Sequence, residues 1–239
     1  MCKVISLHLQ SAVRFSILIF CIGQIFCQEP TPQPSPPPPP ASNVQFVNAV
    51  SVELVDLSVN GFRDYPGLVQ ASRISGGVFP MLDWSVKLKP SGPIGAKTEI
   101  STKFKLGNTS SSTIVLVGDF QLVKDSSGKE KPRAAIVNIS NDFKPREAPN
   151  RLCVVNGCPA DTVTISVPGQ TPQVIEPMEQ YTWNSLPSSL TAVVNVKGKA
   201  ISLPMEFVSP FTGVVVALFN RGVEPDYVLI PQASMHDLK

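Results

Sequence analysis

Histidine is almost missing from this chain, which has two, His8 and His236, among its 239 residues. A Ser-His-Asp or Cys-His site needs a histidine oriented by packed neighbours, and many zinc sites use this side chain. His8 falls in the N-terminal export segment described below, and His236 falls in the C-terminal tail, where chain ends fray. The shortage argues against hydrolytic triads and zinc chemistry, so we expect no catalytic, metal or cofactor site.

Net charge and phosphate-binding loops are also lacking. The formal charge is +2, and loss of Lys3 and Arg14 with the export segment would leave equal numbers of basic and acidic side chains. A balanced surface gives no long-range attraction to nucleic acid. The glycines at 76–77, 92 and 95 have no Lys-Ser after them and no strand-to-helix context. We therefore expect neither a nucleic-acid partner nor a nucleotide site.

The N-terminus has the pattern of an export signal. Lys3 and Arg14 precede the apolar run 15–23, and small residues follow near its end. The run is shorter than the ~20 apolar residues that span a bilayer. We expect a signal peptide over 1–27, cleaved after Gly23 or Cys27. The alternatives are an uncleaved anchor and a lipid-modified Cys27, and membrane contact is expected only in those two cases.

A proline-rich segment, QEPTPQPSPPPPPAS, follows at 28–42. Proline fixes φ and removes a backbone donor, so this segment favours extended polyproline II at ~3.1 Å per residue. We interpret it as a stalk rather than as a ligand for a proline-binding module.

The rest of the chain contains an internal repeat. Residues 44–61 and 152–169 align without a gap at an offset of 108, with six of 18 positions identical. The identical pairs are Val47/Val155, Asn48/Asn156, Val55/Val163, Ser58/Ser166, Val59/Val167 and Gly61/Gly169. Each block predicts a strand, an Asn-led turn and a second strand with period-2 alternation, ended at Asn60-Gly61 and at Gly169.

The similarity resumes further along each copy. The segment from Phe104 parallels that from Met205 at an offset of 101, and each copy closes with a strand after a proline. Extra loop is expected in the first copy, mostly at 90–98 and 121–131. No segment has a convincing helical period, and short strands with turn signals between them predict a sandwich or open barrel. We expect an all-β protein with one domain over 43–140, a boundary at 141–149 and a second domain over 150–232.

The pattern of apolar-x-Phe-Val-Asn-Ala at 44–49 and Val-Asp-Leu-Ser-Val-Asn-Gly at 55–61 resembles the DUF4397 family of bacterial envelope and secreted proteins. The tandem arrangement is also similar to the periplasmic accessory protein of alginate O-acetylation. The resemblance implies two tandem immunoglobulin-like β-sandwich domains and a non-enzymatic envelope role. It supplies no catalytic residues to transfer.

Several residues are candidates for binding or chemistry. The loop acids Asp64, Asp83 and Glu176 could form a carboxylate pair for glycoside hydrolysis, although solvated turn residues are the commoner explanation. Trp84 and Trp183 could stack on sugars, although their places at strand starts favour a core role. Asp125 lacks the ligand spacing of a calcium loop. The sequons at Asn108 and Asn138 matter only in a eukaryotic host.

Beyond position 27 the chain has two cysteines, Cys153 in a predicted strand and Cys158 in the following turn. In an oxidising compartment two such cysteines usually pair, so we expect a disulfide between them. The alternative is a buried Cys153 with a free Cys158.

The main functional hypothesis is an exported, non-catalytic protein of the periplasm, cell surface or medium, with an envelope protein or polysaccharide as its partner. The alternatives are an accessory subunit of an exopolysaccharide O-acetylation complex and, more weakly, a polysaccharide hydrolase with paired carboxylates.

Overall fold

The computed structural model describes residues 42–52, 54–61, 63–79, 83–92, 98–107, 111–124, 126–141, 149–208 and 213–232. Every regular element in these ranges is a β-strand, which confirms the all-β prediction. The export segment, Cys27, all but the last residue of the proline-rich segment, Asn108, Asp125 and His236 lie outside the described residues. The expectations for them stay predictions.

The strands fall into two sets of eight. The first domain contains β1 (Ser42–Val50), β2 (Leu54–Val59), β3 (Arg63–Val69), β4 (Arg73–Phe79), β5 (Asp83–Pro90), β6 (Ile100–Lys105), β7 (Ser111–Lys124) and β8 (Glu130–Ser140). The second contains β9 (Arg151–Asn156), β10 (Val163–Ser166), β11 (Gln173–Ile175), β12 (Gln180–Trp183), β13 (Ser189–Val196), β14 (Lys199–Glu206), β15 (Gly213–Arg221) and β16 (Glu224–Gln232).

Each set forms a sandwich of two four-stranded sheets. The inner sheets have the orders β4-β1-β7-β8 and β12-β9-β15-β16, and the outer sheets β3-β2-β5-β6 and β11-β10-β13-β14. In both inner sheets the first strand runs parallel to the seventh, and the other pairs are antiparallel. The two domains therefore have the same topology, strand for strand.

The strand registers define which residues are equivalent. Val55 of β2 corresponds to Val163 of β10, at the offset of 108 seen in the sequence. In the seventh strands the sequence offset of 101 is one residue too small. Phe46 pairs with Ile114 and its equivalent Val154 pairs with Val216, which makes the structural offset 102. The difference matters because a slip of one residue moves every side chain to the other face.

Asn48 and Asn156 make equivalent hydrogen bonds in the two domains. The Asn48 side chain accepts from the Val50 amide and donates to the carbonyls of Leu68 and Val69. Asn156 accepts from the Cys158 amide and donates to the carbonyls of Asp161 and Ile175. Asn156 ends β9, as predicted for an Asn-led turn, whereas Asn48 lies inside β1, which continues to Val50; in both domains the asparagine satisfies backbone groups of a neighbouring loop.

The predicted strand ends are also confirmed. Asn60 and Gly61 have φ values of 53° and 71°, and Gly169 has a φ of 75°. Two successive left-handed residues make the tight turn that suits a twisted hairpin, and Asn and Gly tolerate this conformation best.

Each sandwich has a core between its inner and outer sheets. In the first domain the core is built on alternate residues, among them Phe46, Leu57, Trp84, Leu88 and Leu116. The second domain has the corresponding core around Val154, Ile165, Trp183, Val194 and Val216.

A third core joins the two domains, because the inner sheets pack against each other. Its buried members come from both: Val47, Ala49, Val115, Val117 and Ile139, with Cys153, Val155, Val215, Ala217, Phe219 and Ile230. The inner strands are thus apolar on both faces, which explains the continuous apolar runs at 114–117 and 214–219.

Hydrogen bonds close this interface at both ends. At one end Gln232 donates to Thr113 at 3.3 Å and to Asn141. At the other, the Gly118 amide donates to the Gly157 carbonyl at 3.2 Å. A Cβ on Gly157 would come within 2.3 Å of the Leu218 carbonyl oxygen, so only glycine fits there. All described residues belong to one compact unit.

Prolines occupy several edge strands, namely Pro66 in β3, Pro132 in β8, Pro204 in β14, and Pro225 and Pro231 in β16. A proline lacks the N–H that another chain would need for strand addition. These edges are therefore poor templates for sheet-to-sheet association.

Candidate functional site

The solvent-facing side of the first domain's outer sheet brings lysine, carboxylate and hydroxyl side chains together. Strands β2 and β5 alternate buried apolar residues with outward polar ones. We call this surface the lysine–carboxylate face. It consists of Asp56, Ser58, Asp64, Asp83, Ser85, Lys87, Lys89, Glu99, Ser101, Lys103 and Lys105.

A cleft of about 380 Å³ lies on this face. It is lined by Asp56, Leu57, Ser58, Asp64, Tyr65, Pro66, Lys87, Lys89 and Glu99. Two ion pairs lie along it, with Lys87 Nζ 3.3 Å from Glu99 in the β5–β6 connection and Lys89 Nζ 3.9 Å from Asp56 on the neighbouring strand. About half of the Lys87 side chain stays exposed (52%), and Glu99 is 41% exposed, so both heads can meet a ligand.

Asp56 fixes the wall of this cleft. Its Oδ1 accepts from the Ser91 hydroxyl at 2.5 Å and from the Gly67 amide at 3.0 Å. Gly67 has a φ of 63° at an irregularity in the β2–β3 pairing, next to Tyr65 and Pro66. The Ser91 hydrogen bond, helped by the Gly67 amide and the Lys89 charge, outweighs desolvation and lowers the pKa of Asp56 below its usual value.

A second cleft of about 570 Å³ lies at the other end of the face, lined by Asn60, Asp83, Trp84, Ser85, Lys103, Phe104 and Lys105. Trp84 and Phe104 form its apolar floor, with nearly parallel rings 6.2 Å apart. The Trp84 indole is 2% exposed and donates to Ser42 Oγ at 3.0 Å. The indole therefore supports the cleft from below and offers no open face to a ligand.

The equivalent face of the second domain is almost neutral. Its outward residues are Thr164, Ser166, Ser189, Thr191, Val193, Asn195, Ala200, Ser202, Pro204 and Glu206. By register, Val193, Asn195, Pro204 and Glu206 stand where the first domain has Lys87, Lys89, Lys103 and Lys105. Thr164 stands in place of Asp56.

The loop between β5 and β6 also differs from its equivalent in the second domain, the loop between β13 and β14. In the second domain a two-residue turn, Lys197-Gly198, joins β13 to β14, with φ values of 51° and 78°. In the first domain nine residues, 91–99, connect β5 to β6. Ser91, which holds Asp56, and Glu99, which pairs with Lys87, belong to this insertion.

The structure separates the three candidate acids. Asp64 lines the smaller cleft, and Asp83 lines the larger one, 3.8 Å from Lys105. Glu176 is exposed between β11 and β12 of the other domain. A carboxylate pair made from these residues would need two of them in one cleft, and neither of the two clefts described here contains two of them.

Both tryptophans are core residues, as their positions favoured. Trp84 is 2% and Trp183 5% exposed. Trp183 contacts the Tyr181 ring edge-on at 4.6 Å, and Tyr181 is the more exposed of the two. Sugar stacking on either indole would require the core to open.

The expected Cys153–Cys158 disulfide is not formed in the structure, where both thiols are free and buried. Cys153 points into the core between the two domains, whereas Cys158 points into the core of the second domain. Cys158 is the equivalent of Val50, an apolar core position. Burial raises the pKa of both thiols, that of Cys158 to about 12.

Among the described residues, no group of three or more His, Cys, Asp or Glu side chains is placed to hold a metal ion. No helix in the part of the chain that the structure describes is long and apolar enough to cross a membrane.

Sequence reasoning did not identify the lysine–carboxylate face. The signal was available, because Lys87-Leu-Lys89 and Lys103-Phe-Lys105 alternate lysine with a buried or half-buried residue on adjacent strands. The signal for the interface between the domains was the continuous apolar run, which fits a strand buried on both faces.

No protein-family model matches the chain, and no curated protein matches it. The resemblances to DUF4397 and to the alginate O-acetylation accessory protein therefore stay expectations.

Solved structures give distant matches. One is a family CBM26 carbohydrate-binding module, CBMbc from Eubacterium rectale Amy13K, in complex with maltoheptaose, at 9% identity and a TM-score of 0.26, covering 82% of this chain and 98% of that one. Two are putative cell adhesion proteins. The one from Bacteroides ovatus is 6% identical and that from Bacteroides uniformis 10%, each with a TM-score of 0.25 and covering 81% of this chain and 98% of its own.

Proposed function

We propose that this protein is a non-catalytic binding module of the cell envelope and that it binds a polysaccharide on the lysine–carboxylate face. One observation carries the proposal. Two domains of identical topology have equivalent outer faces, and among the described residues of these faces the lysines and carboxylates gather on the first, beside a cleft and a longer β5–β6 connection.

The stability of the fold does not explain why charged side chains gather on this face. Exposed ion pairs contribute roughly 0–1 kcal/mol each, and the second domain forms the same two sheets with Val193 and Asn195 in place of Lys87 and Lys89. Charged side chains gathered in a cleft on one copy of a repeat are therefore better explained by a ligand than by folding.

Rigidity suits this role. The lining residues Asp56, Ser58, Lys87 and Lys89 lie on adjacent strands, and the interface with the second domain braces the inner sheet behind them. A site built on strands needs little ordering when a ligand binds, which favours affinity. We infer that the second domain acts as the support. The accessory-subunit hypothesis stays a prediction without a specific observation in its favour.

Affinity electrophoresis in gels that contain purified polysaccharides tests the proposal. The variant Lys87→Ala/Glu99→Ala removes an ion pair from the cleft without changing the net charge. The control Lys199→Ala/Glu224→Ala removes an exposed pair from the second domain, where the side chains are 54% and 62% exposed.

We expect at least one polysaccharide to retard the parent and the control equally, and to bind the cleft variant about tenfold more weakly, which corresponds to ~1.4 kcal/mol. Equal retardation of all three proteins, or none by any polysaccharide, would refute the proposal.

A further inference from the structure

We propose that the cleft lined by Asp56, Asp64, Tyr65, Lys87 and Glu99 binds an uncharged, hydroxyl-rich segment of a polysaccharide rather than an acidic one. This inference rests on the proposed function and names the ligand class of the same site.

Charge is the first reason. The cleft has three carboxylates, Asp56, Asp64 and Glu99, and two ammonium groups, Lys87 and Lys89. Both lysines already have a carboxylate partner, at 3.3 Å and 3.9 Å. An acidic polymer binds mainly by pairing its negative charges with positive side chains. To reach Lys87 and Lys89, an anionic ligand would have to displace their carboxylate partners, and it would meet a site of net negative charge.

Hydrogen bonding is the second reason. A carboxylate only accepts and an ammonium only donates, so a carboxylate next to an ammonium presents both functions within one ion pair. A sugar hydroxyl is both a donor and an acceptor and can bridge the two. Lys87 and Lys89 lie two residues apart on β5, so the two ion pairs are spaced ~7 Å apart along the strand and can both meet hydroxyls of one short sugar segment.

Shape is the third reason. Tyr65 and Pro66 border one side of the cleft; Tyr65 packs against the core below, and the exposed Pro66 ring offers an apolar surface to the C–H groups of a sugar. The volume of about 380 Å³ lies at the lower end of small-ligand sites. The cleft therefore has room for a short stretch of chain. Asp56 is a positioning residue here, because its bonds to Ser91 and Gly67 hold the wall in place.

Glu99→Gln distinguishes the two ligand classes by the sign of its effect. Glutamine keeps the size of the side chain but removes the charge and the partner of Lys87. A hydroxyl-rich neutral ligand loses a charged acceptor, so we expect affinity to fall about fivefold to tenfold. An acidic ligand would gain a free Lys87, and its affinity would rise instead. Glu206→Gln, on the neutral face of the second domain, is the matched control.

The probes are a β-glucan, an α-glucan and a galactomannan, each beside its own carboxymethylated derivative, measured at about 0.05 M and about 0.5 M salt. We expect binding to at least one neutral polymer, weaker binding to its carboxymethylated form, and less than a twofold change with salt. Preference for the carboxymethylated form, affinity that falls steeply with salt, or tighter binding by Glu99→Gln would overturn this inference and leave the proposed function standing. Binding to none of the six polymers would overturn both.

Discussion

The two domains share eight strands in the same order and differ on the faces that meet solvent. Inward positions are conservative between them, as at Val55 and Val163, which are both fully buried. The outward positions change from lysine to valine, asparagine, proline and glutamate without any change in sheet order. The topology thus depends on the buried half of each outer strand, and the exposed half is free to acquire a binding role.

A second comparison concerns the inner sheets. They have apolar residues on both faces, because each packs on its own outer sheet and on the other domain. The face of each inner sheet that points away from its own outer sheet is covered by the other domain, so the interface belongs to the fold of both domains. Four predictions test whether equivalent positions in the two domains respond alike to substitution, and they are ordered from the largest expected effect to the smallest.

Gly157→Ala should reduce the stability of the protein the most, because Gly157 lies at the interface shared by both domains. The added methyl would lie 2.3 Å from the Leu218 carbonyl oxygen and 3.2 Å from that of Ala49, so backbone must move. We expect a loss of about 3–5 kcal/mol in the free energy of unfolding, measured by urea denaturation. Gly128→Ala is a control, since no atom lies within 4 Å of its Cβ position and only its φ of 79° is unfavourable. Equal losses in the two variants would contradict the close packing at Gly157.

Val55→Ala and Val163→Ala form a matched pair at equivalent core positions. Both valines are 0% exposed, and each truncation removes two methyl groups' worth of packing from the core of its own domain. We expect each to reduce the free energy of unfolding by about 1.5–3 kcal/mol, with a difference between them below ~1 kcal/mol. A difference of more than ~2 kcal/mol would break the equivalence of the two cores.

Asp56→Asn should affect only the first domain. The native aspartate has a pKa below its ordinary value, so its stabilising contribution is present at neutral pH and disappears as pH falls below about 4. We expect a loss of about 1 kcal/mol at pH 7, and a gap between the parent and variant curves that narrows as pH falls below about 4. Thr164→Ala, at the equivalent position, is the control and should show no such pH dependence. A parent–variant gap that persists unchanged to pH 3 would show that the carboxylate charge is not responsible.

The thiols give the smallest energetic effect and a clear chemical one. Since Cys153 and Cys158 are buried with raised pKa values, neither should react with a thiol reagent in the native protein at pH 7, and both should react after unfolding without reductant. Intact mass with and without reductant should be identical. A mass difference of two hydrogens would show that the disulfide forms, and it would contradict the placement of the two thiols in different cores.

Much of the local structure could be predicted from the sequence. The strand at 55–59, the turn at Asn60-Gly61 and the repeated Asn48 and Asn156 were all recognisable, because alternation and turn residues are local signals. The parallel pairing of β1 with β7 was not predicted, because it joins residues about 68 positions apart and no local signal encodes it. The offset in β7 was one residue wrong for the same reason.

The candidate site divides in a similar way. Asp64 and Asp83 were identified as loop acids, yet the structure assigns them to different clefts and gives them lysine neighbours. Lys87 and Glu99 were not identified, because a charged residue in an exposed strand position looks like ordinary solvation until its cross-strand partners are known. Sequence spacing also does not reveal which side of a sheet a thiol faces, and the structure places Cys153 and Cys158 in different cores.

The period of each strand and the residue types at its turns can be read from the sequence, since they depend on neighbours a few positions away. The all-β class and the correspondence of the two copies follow from them. The folded structure was needed to show which apolar faces meet, that the inner sheets are buried on both sides, and that four lysines and four carboxylates share one surface. Those results depend on residues far apart in the chain, and packing alone brings them together.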